Sequence, residues 1–296
     1  MKIWNRIKVG MAVLQGYAYK YGVDANYLQI PSLRNKYTGV VVSLTSYGRR
    51  VDTNVVFYTI VSILRQRVQP DRIILWLAED EWKEKRLPSK LSKLLEKGVE
   101  IKMCEDLRSY KKLIPALAEC PNSVIITVDD DIIYSDDMIE TMLGEHREYP
   151  DSIVCFKAKW PVIKGGFPND YELWRLEKQH SSGMLLFPIG YGGILYPPHC
   201  LHKDVIRKDL FTKYSPKADD VWFWFCGLLQ MTEKRVVVKK GMDKSFDALY
   251  QYFHRGTDLN HDNRYNHEND VQIEKIFQGY NVRIGNDNQL KKTNNA

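Results

Sequence analysis

From residue 40 onward, short runs of β-branched and other apolar residues alternate with segments of helical length. Apolar runs at 40–45, 72–78, 99–104 and 123–128 predict four strands. The segments between them predict helices through 55–64, over 88–97 and over about 110–119, with Thr53 capping the first and Gly98 closing the second. This alternation predicts an α/β fold with a mostly parallel sheet flanked by helices, in which ligands bind at the carboxyl ends of the strands.

The second half of the chain is less regular. A strand is predicted at 152–158, followed by a loop-rich region at 159–198, a helix from Asp219 to about Gln230 and a strand at 236–239. From Gly256 the composition turns to Asn, Asp and His, and the last dozen residues are expected to be frayed. Because no repeat or linker interrupts the chain, we expect an N-terminal arm at 1–39, a single domain at 40–285 and a flexible tail at 286–296.

The composition is that of a globular protein, with 44% hydrophobic and 27% charged residues among 296. No apolar run long enough to span a membrane and no cleavable leader is recognised, so we expect a cytoplasmic protein. Of the net charge of +6, residues 1–40 carry +5, and the nearly neutral remainder indicates no nucleic-acid-binding face. The five cysteines are widely spaced and odd in number, which predicts reduced, mostly buried thiols.

Three adjacent acids, Asp129, Asp130 and Asp131, follow the fourth predicted strand. Positive charge is needed to offset their mutual repulsion, and the only basic residues close in sequence are Lys111 and Lys112. A bound cation is therefore expected. Alternation along an extended chain directs Asp129 and Asp131 to the same side, which suits Mg²⁺ or Mn²⁺ carrying substrate phosphates. The alternative is a solvated turn that caps the next helix.

A second acidic pair, Asp219 and Asp220, opens a helix of apolar and aromatic residues. The helix dipole and N-terminal capping explain one acid in this position, but not readily two. Trp222 and Trp224 would partly desolvate a carboxylate here and raise its pKa towards a value useful for a general base. The pair is therefore a candidate catalytic site, with helix capping as the alternative.

The first half of the chain resembles the inverting family 2 glycosyltransferases of the GT-A fold. The residues that carry the resemblance, besides the acids at 129–131, are Thr45, Tyr47, Arg49, Ser62, Ile63, Leu64, Gln66 and Pro70. The resemblance covers about residues 40–135 well and about 190–230 more loosely, and it implies a GT-A-like, Rossmann-like sheet with a loop-rich acceptor-side half. Gly48 and the segment LAED at 77–80 depart from the family pattern.

The resemblance also implies roles for individual residues. The implied donor-binding residues are Thr45, Tyr47, Glu79 or Asp80, Lys112, Asp129 and Asp130. The implied metal ligands are Asp129, Asp131 and His254. By the same match Asp220 is the general base, and Asp219 orients the acceptor or its loop. The alternatives are a solvated lysine at 112 and a structural histidine at 254.

Glycines and aromatic residues before the second acidic pair are candidates for sugar contacts. Gly190, Gly192 and Gly193 surround Tyr191, a pattern typical of close backbone approach to a ligand or of a tight turn. Trp174 and Tyr171 are possible sugar platforms, although a core position is the more common fate of such residues.

The resemblance, together with the two acidic clusters, implies a metal-dependent inverting glycosyltransferase. It would use a nucleotide diphosphate sugar, Mn²⁺ or Mg²⁺, and a glycan or lipid-linked acceptor, in bacterial surface polysaccharide or lipopolysaccharide synthesis, with 40–135 as the donor half and 136–285 as the acceptor half. The alternatives are a retaining glycosyltransferase or nucleotidyltransferase, and a non-catalytic sugar-binding module.

The basic arm carries an apolar stripe at helical spacing, composed of Ile3, Ile7, Met11, Leu14 and Ala18. Such a stripe suits either peripheral contact with the inner face of the cell membrane through residues 1–20 or a helix packed on the enzyme itself.

Overall fold

The structure, a computed structural model, describes residues 14, 16–34, 39–238 and 267–293. Its strands are β1 (Val40–Thr45), β2 (Arg72–Ala78), β3 (Glu100–Cys104), β4 (Val124–Thr127), β5 (Ile153–Cys155), β6 (Ala158–Trp160), β7 (Ile163–Lys164), β8 (Phe167–Pro168), β9 (Arg175–Leu176), β10 (Ser181–Gly183), β11 (Phe187–Pro188), β12 (Ile194–Tyr196), β13 (Lys234–Val236), β14 (Val282–Ile284) and β15 (Leu290–Lys292).

Its α-helices are α1 (residues 16–25, with Leu14 also helical), α2 (Gly48–Asp52), α3 (Val55–Leu64), α4 (Glu79–Trp82), α5 (Ser89–Ser92), α6 (Ile114–Glu119), α7 (Met138–Glu148), α8 (Lys208–Tyr214), α9 (Asp219–Leu229) and α10 (Glu268–Tyr280). Short 3-10 helices lie at Tyr27–Gln29, Leu95–Lys97, Arg108–Lys112, Tyr171–Leu173, Gly190–Gly192 and Lys203–Ile206.

The central sheet has eight strands in the order β10-β13-β5-β12-β4-β1-β2-β3. The four strands β4, β1, β2 and β3 are parallel neighbours, and β5 and β13 are parallel to each other. β12 and β10 run antiparallel to the strands beside them. The predicted α/β class, a mostly parallel Rossmann-like sheet flanked by helices, is therefore confirmed.

Alternate residues of β1 pack on opposite faces of this sheet. Val42 and Leu44 belong to a hydrophobic cluster that includes residues of α3 and α7, whereas Val41 belongs to a second cluster with residues of α9 and α10. Strands covered on both faces are apolar along nearly their whole length, which is why β1 and β2 were recognisable as continuous apolar runs.

The topology brings several loops to one edge of the sheet. β1, β2 and β4 are parallel, so the residues that follow them, 46–50, 79–81 and 129–131, lie at the same edge. Because β12 runs antiparallel to β4, the segment that precedes it, 190–193, reaches this edge as well. The candidate site is built from these four loops, the 3-10 helix Arg108–Lys112 and the first turn of α9.

Two predicted helices differ from the helices observed. The helix predicted over 88–97 is α5 followed by a 3-10 turn, which Gly98 ends with φ of 85°. The helix predicted over 110–119 begins only at Ile114, because Pro115 lacks an N–H and fits the first turn of a helix better than its interior. Thr53 does not cap α3, since Asn54, with φ of 61°, precedes that helix.

The second half departs further from the predicted elements. The strand predicted over 152–158 is divided between β5 in the central sheet and β6 in a three-stranded sheet. The loop-rich region 159–198 contains several two- or three-residue strands. α10 was missed although Ile273, Ile276 and Phe277 are buried at helical spacing. His254 and residues 1–13 lie outside the described residues.

The segment 286–296, predicted to be a flexible tail, contains β15, which pairs with β14 through residue 292. The intervening polar residues form the hairpin turn, in which the Gly285 N–H donates to the carbonyl of Gln289 over 2.8 Å. A turn composition was therefore mistaken for a frayed end. The five cysteines are unpaired, and four of them are buried, as predicted.

In the described part of the chain, no helix combines the length and the apolar character needed to cross a membrane.

Candidate active site

The acidic loop after β4, residues Asp129–Asp131, is held by cations and hydroxyls from other loops. Asp130 is buried and accepts hydrogen bonds from Ser46 Oγ and Arg50 Nη1, both over 2.5 Å. Arg50 Nη2 also lies 3.2 Å from Asp131 Oδ2. Arg50, which arrives from the loop after β1, thus balances part of the charge for which a bound cation was expected, and the metal-binding roles of Asp129 and Asp131 stay predictions.

The charges of this cluster shift its pKa values. Burial alone would lower the pKa of Arg50, but Asp130 and Asp131 raise it, so the guanidinium stays charged. Burial and the neighbouring Asp130 raise the pKa of Asp131 to about 7, although Arg50 opposes the shift. The charged form of the Asp131 carboxyl is therefore disfavoured even with Arg50 in place.

Asp129 faces a different cation from Asp131. Lys112 Nζ lies 3.2 Å from Asp129 Oδ1, and Lys112 itself is buried in the 3-10 helix before α6. The same ammonium lies 2.9 Å from Asp219 Oδ2 and 3.7 Å from Asp220 Oδ1. Lys112 is therefore not a solvated lysine, and it connects the two predicted acidic clusters directly.

Lys112 carries a positive charge in a nearly solvent-free position. Burial alone would lower the pKa of Lys112, but Asp129, Asp219 and Asp220 raise it well above its usual range. One buried ammonium thus lies close to three carboxylates. When all three carboxylates are ionised, the four side chains together carry a net negative charge.

Asp220, in the first turn of α9, has one oxygen that accepts a backbone hydrogen bond and one that does not. The Gly190 N–H donates to Asp220 Oδ2 over 2.8 Å. Asp220 Oδ1 is buried and accepts no hydrogen bond from the described residues. Burial raises the pKa of Asp220 to about 7 against the opposing charge of Lys112, and Asp219 and Asp129 add to the rise. A carboxylate with these properties can accept a proton near neutral pH.

Gly190 leaves no space for a larger side chain. A Cβ atom at this position would lie 2.7 Å from Asp220 Oδ1 and 2.9 Å from Lys112 Nζ. Glycine here therefore allows the backbone to approach the acidic pair closely.

Tyr134 joins the β4 loop to the glycine-rich segment. Its buried hydroxyl accepts the Asp129 N–H over 2.9 Å and donates to the carbonyl of Tyr191 over 3.1 Å. The hydroxyl thus fixes the distance between the two loops that flank Lys112.

The loops after β1 and β2 contain the predicted base-binding residues. Thr45 Oγ1 donates to the carbonyl of Trp76 over 2.9 Å, and the exposed Tyr47 ring lies 5.4 Å from the Arg50 guanidinium carbon. Glu79 and Asp80 are both exposed at the start of α4. A third acid, Glu81, accepts the Gly48 N–H over 2.8 Å and so links the two loops. The roles of Thr45, Tyr47, Glu79 and Asp80 stay predictions.

Trp174 is a core residue. It is buried against Phe187 and Trp224, and its indole N–H donates to the carbonyl of Asn169 over 2.7 Å. Tyr171 is more exposed, and Lys159 Nζ lies 3.7 Å from its ring centre. Trp174 therefore offers no sugar platform.

One set of three residues among those described has metal-ligand spacing, namely Asp170, His267 and Asp270. Its oxygens already have protein partners, since the Tyr171 N–H donates to Asp270 Oδ1 over 2.7 Å and His267 Nδ1 lies 3.1 Å from Asp270 Oδ2. The three acids after β4 do not form such a set with any other described residue.

Sequence reasoning missed Arg50, Tyr134 and Glu81. Arg50 follows a predicted strand at the edge where ligands were expected, so its position was a usable signal. Tyr134 and Glu81 had no such signal, because their roles depend on contacts between different loops.

No family model matches the chain, and no curated protein matches it. Among solved structures, S. aureus TarS 1–349 matches 72% of this chain at 13% identity with a TM-score of 0.44, and this chain spans 61% of that fragment. A 4-diphosphocytidyl-2C-methyl-D-erythritol synthase matches 57% of this chain and 78% of its own at 8% identity, with a TM-score of 0.35.

Proposed function

We propose that the protein is a metal-dependent inverting glycosyltransferase. It would transfer a sugar from a nucleotide diphosphate sugar to a hydroxyl of a glycan or lipid-linked acceptor in bacterial surface polysaccharide synthesis. The observation that carries the proposal is the buried Oδ1 of Asp220, which accepts no hydrogen bond from the described residues and lies beside the cation that also contacts Asp129. A base and a diphosphate site at one sheet edge are the two parts that such a reaction needs.

Asp220 is the proposed general base. Its Oδ1 takes the proton of the acceptor hydroxyl, while the acceptor oxygen forms a bond to the anomeric carbon from the face opposite the leaving group. The bond between that carbon and the phosphate oxygen breaks, and the nucleoside diphosphate leaves with the electron pair. Gly190 and Lys112 orient the carboxylate, and Asp219 shares Lys112 with it.

The donor would lie against the loops after β1, β2 and β4. Thr45, Tyr47 and Glu79 or Asp80 would contact the nucleoside, and Lys112 and Arg50 would contribute positive charge near the diphosphate. Asp129 and Asp131 would hold Mn²⁺ or Mg²⁺, which when bound neutralises charge on the diphosphate. The donor set suits such an ion, because both residues offer carboxylate oxygens, the ligands that it prefers.

The competing functions lack comparable support. A sugar-binding module needs no buried carboxylate with a raised pKa, and its expected aromatic platform, Trp174, is a core residue. A retaining transferase or a nucleotidyltransferase would share the donor site. Neither would require a base that deprotonates an acceptor hydroxyl on the face of the sugar opposite the leaving diphosphate. The configuration of the product distinguishes these enzymes from the proposed one.

The test combines a panel of nucleotide sugars with three variants. Calorimetry with and without Mn²⁺ identifies the donor, and magnetic resonance of the product gives the configuration at the anomeric carbon. Asp220→Asn should bind the donor normally and lose transfer by about 10²- to 10⁴-fold, the usual contribution of a general base. Asp131→Asn should lose Mn²⁺-dependent donor binding. Asp209→Asn, at an exposed acid in α8, is the control and should change neither.

Retention of configuration, or near wild-type transfer by Asp220→Asn, would reject the proposed mechanism. Donor affinity that does not depend on Mn²⁺ or on Asp131 would remove the metal from it.

A further inference from the structure

The helix α1 presents an apolar face to solvent. Leu14 is 70% exposed and Tyr21 is 71% exposed, and Leu28, just beyond the helix, is 92% exposed. Tyr17 and Ala18 on the same side are exposed as well. A helix on the surface of a globular protein normally shows the opposite arrangement, with polar residues outward.

The opposite face of α1 attaches the helix to the enzyme. Val23 and Gly16 are buried, and the Tyr19 hydroxyl donates to the carbonyl of Tyr58 over 3.4 Å. The outward direction of Leu14 and Tyr21 is therefore set by packing on the other side of the helix. Leu14 and Ala18, the described members of the apolar stripe recognised in the sequence, do not pack on the core.

Cationic side chains lie in α1 and beside aromatic rings of α1, α3 and the 3-10 helix that follows α1. Lys20 Nζ lies 6.0 Å from the Tyr58 ring, the Arg65 guanidinium lies 5.9 Å from the Tyr19 ring, and the exposed Lys93 lies 5.0 Å from the Tyr27 ring. The one acid of α1, Asp24, is paired with Lys90 at 2.5 Å. The sequence adds Lys2, Arg6 and Lys8 with only Asp24 as an acid in the first forty residues.

We propose that the outer face of α1, formed by Leu14, Tyr17, Ala18 and Tyr21, docks the protein on a membrane surface rich in anionic lipid, together with the exposed Leu28 just beyond the helix. The leucines would enter the boundary between headgroups and acyl chains, and the tyrosines would lie at headgroup level. The excess of basic side chains in and beside α1 favours anionic headgroups over a neutral surface or a second copy of this basic region. The proposal does not depend on the proposed transferase activity.

Sedimentation of the full chain with lipid vesicles at low ionic strength tests the proposal. Vesicles of phosphatidylglycerol and phosphatidylcholine in equal parts should bind the protein on the order of tenfold or more tightly than vesicles of phosphatidylcholine alone. Leu14→Ser combined with Tyr21→Ser should weaken this binding by about tenfold or more, because interfacial affinity scales with the apolar area buried. Leu173→Ser combined with Met231→Ser, at residues 58% and 64% exposed on other elements, should leave it unchanged.

Equal binding to both kinds of vesicle, or wild-type binding by the Leu14 and Tyr21 variant, overturns the proposal. A concentration-dependent dimer that this variant abolishes, without vesicle binding, also overturns it and assigns the face to self-association. Thermal unfolding monitors the fold of each variant. Leu28→Ser, at a nearly fully exposed residue, is the second variant and should weaken vesicle binding several-fold without affecting stability.

Discussion

The two acidic clusters of the candidate site, Asp129–Asp131 after β4 and Asp219–Asp220 at the start of α9, have similar side chains in different surroundings. The β4 cluster has two cations, Arg50 and Lys112. The α9 pair shares only Lys112 with it. The first cluster therefore has two cations for three carboxylates, whereas the second shares one of these cations and keeps an oxygen of Asp220 without a hydrogen bond from the described residues.

This difference matches two kinds of chemistry. The contacts with Arg50 and Lys112 fix the shape of the first cluster, which suits the binding of a ligand. Asp220, like Asp131, has a pKa raised to about 7, and its buried Oδ1 lacks a hydrogen bond from the described residues, which suits proton transfer. Lys112 contacts both, so the two functions share one charge, and removing it should affect them together.

Lys112→Met should have the largest effect, because it disturbs both clusters at once. It leaves three carboxylates around an apolar side chain, and the loss of one partner from a buried ion pair costs about 3–5 kcal/mol of unfolding free energy. Transfer activity should be lost as well, because the orientation of Asp220 depends on this contact. Urea denaturation and a transfer assay provide the two measurements.

Lys102→Met is the matched control for this change. Lys102 also contacts two carboxylates, Glu100 and Glu119, but its side chain and theirs are about one-third exposed. Its removal should cost less than about 1 kcal/mol. If both variants lose the same stability, the buried connection between the two clusters has no special role.

Gly190→Ala should displace the side chains of Asp220 and Lys112 without removing any charge. The new Cβ would lie within 3 Å of both Asp220 Oδ1 and Lys112 Nζ, so both side chains must move. Displacement of a catalytic group by about 1 Å can lower the rate on the order of 10²-fold. Donor binding, measured by calorimetry, should change much less than transfer.

Gly144→Ala is the control for this second change. In α7 the nearest atom to the new Cβ would be Arg147 Nη2 at 4.0 Å, so alanine fits and should stabilise the helix by up to about 1 kcal/mol. A Gly190→Ala variant with wild-type transfer would show that the backbone approach to Asp220 is dispensable.

The regular half of the fold was predictable because its signals are local. β2 was predicted at 72–78 and is observed at Arg72–Ala78, since a strand covered on both faces appears as one apolar run between polar turns. The carboxyl-edge rule then located the acids at 129–131 without any knowledge of the strand order.

The remainder depended on contacts that periodicity does not report. Arg50 and Asp130 are 80 positions apart, so charges that are close in sequence do not indicate that the two residues are partners. The division of 152–158 between two sheets depends on which strands pair with β5 and β6, which no local pattern specifies. The pairing of Lys112 with α9 belongs to the same class of long-range contact.

The smallest expected effect is a shift in the pH dependence of transfer. Because Asp220 must be deprotonated to act as base and its pKa is about 7, activity should be full above pH 7 and fall about tenfold for each unit below it. Asp219→Asn removes a neighbouring negative charge, so the pKa of Asp220 should fall and the acid limb should move by about one unit to lower pH. An unchanged acid limb would show that another group controls it.

Stability gives an independent measurement of the same titration. The pKa of Asp220 is raised in the folded state, so its contribution to stability is complete below the unfolded value of about 4 and is lost as the pH rises through about 7. The wild-type protein should therefore lose stability relative to Asp220→Asn across this interval, while its activity rises. Opposite slopes of activity and stability against pH would mark Asp220 as an undercompensated base, and parallel slopes would assign the raised pKa to a different residue.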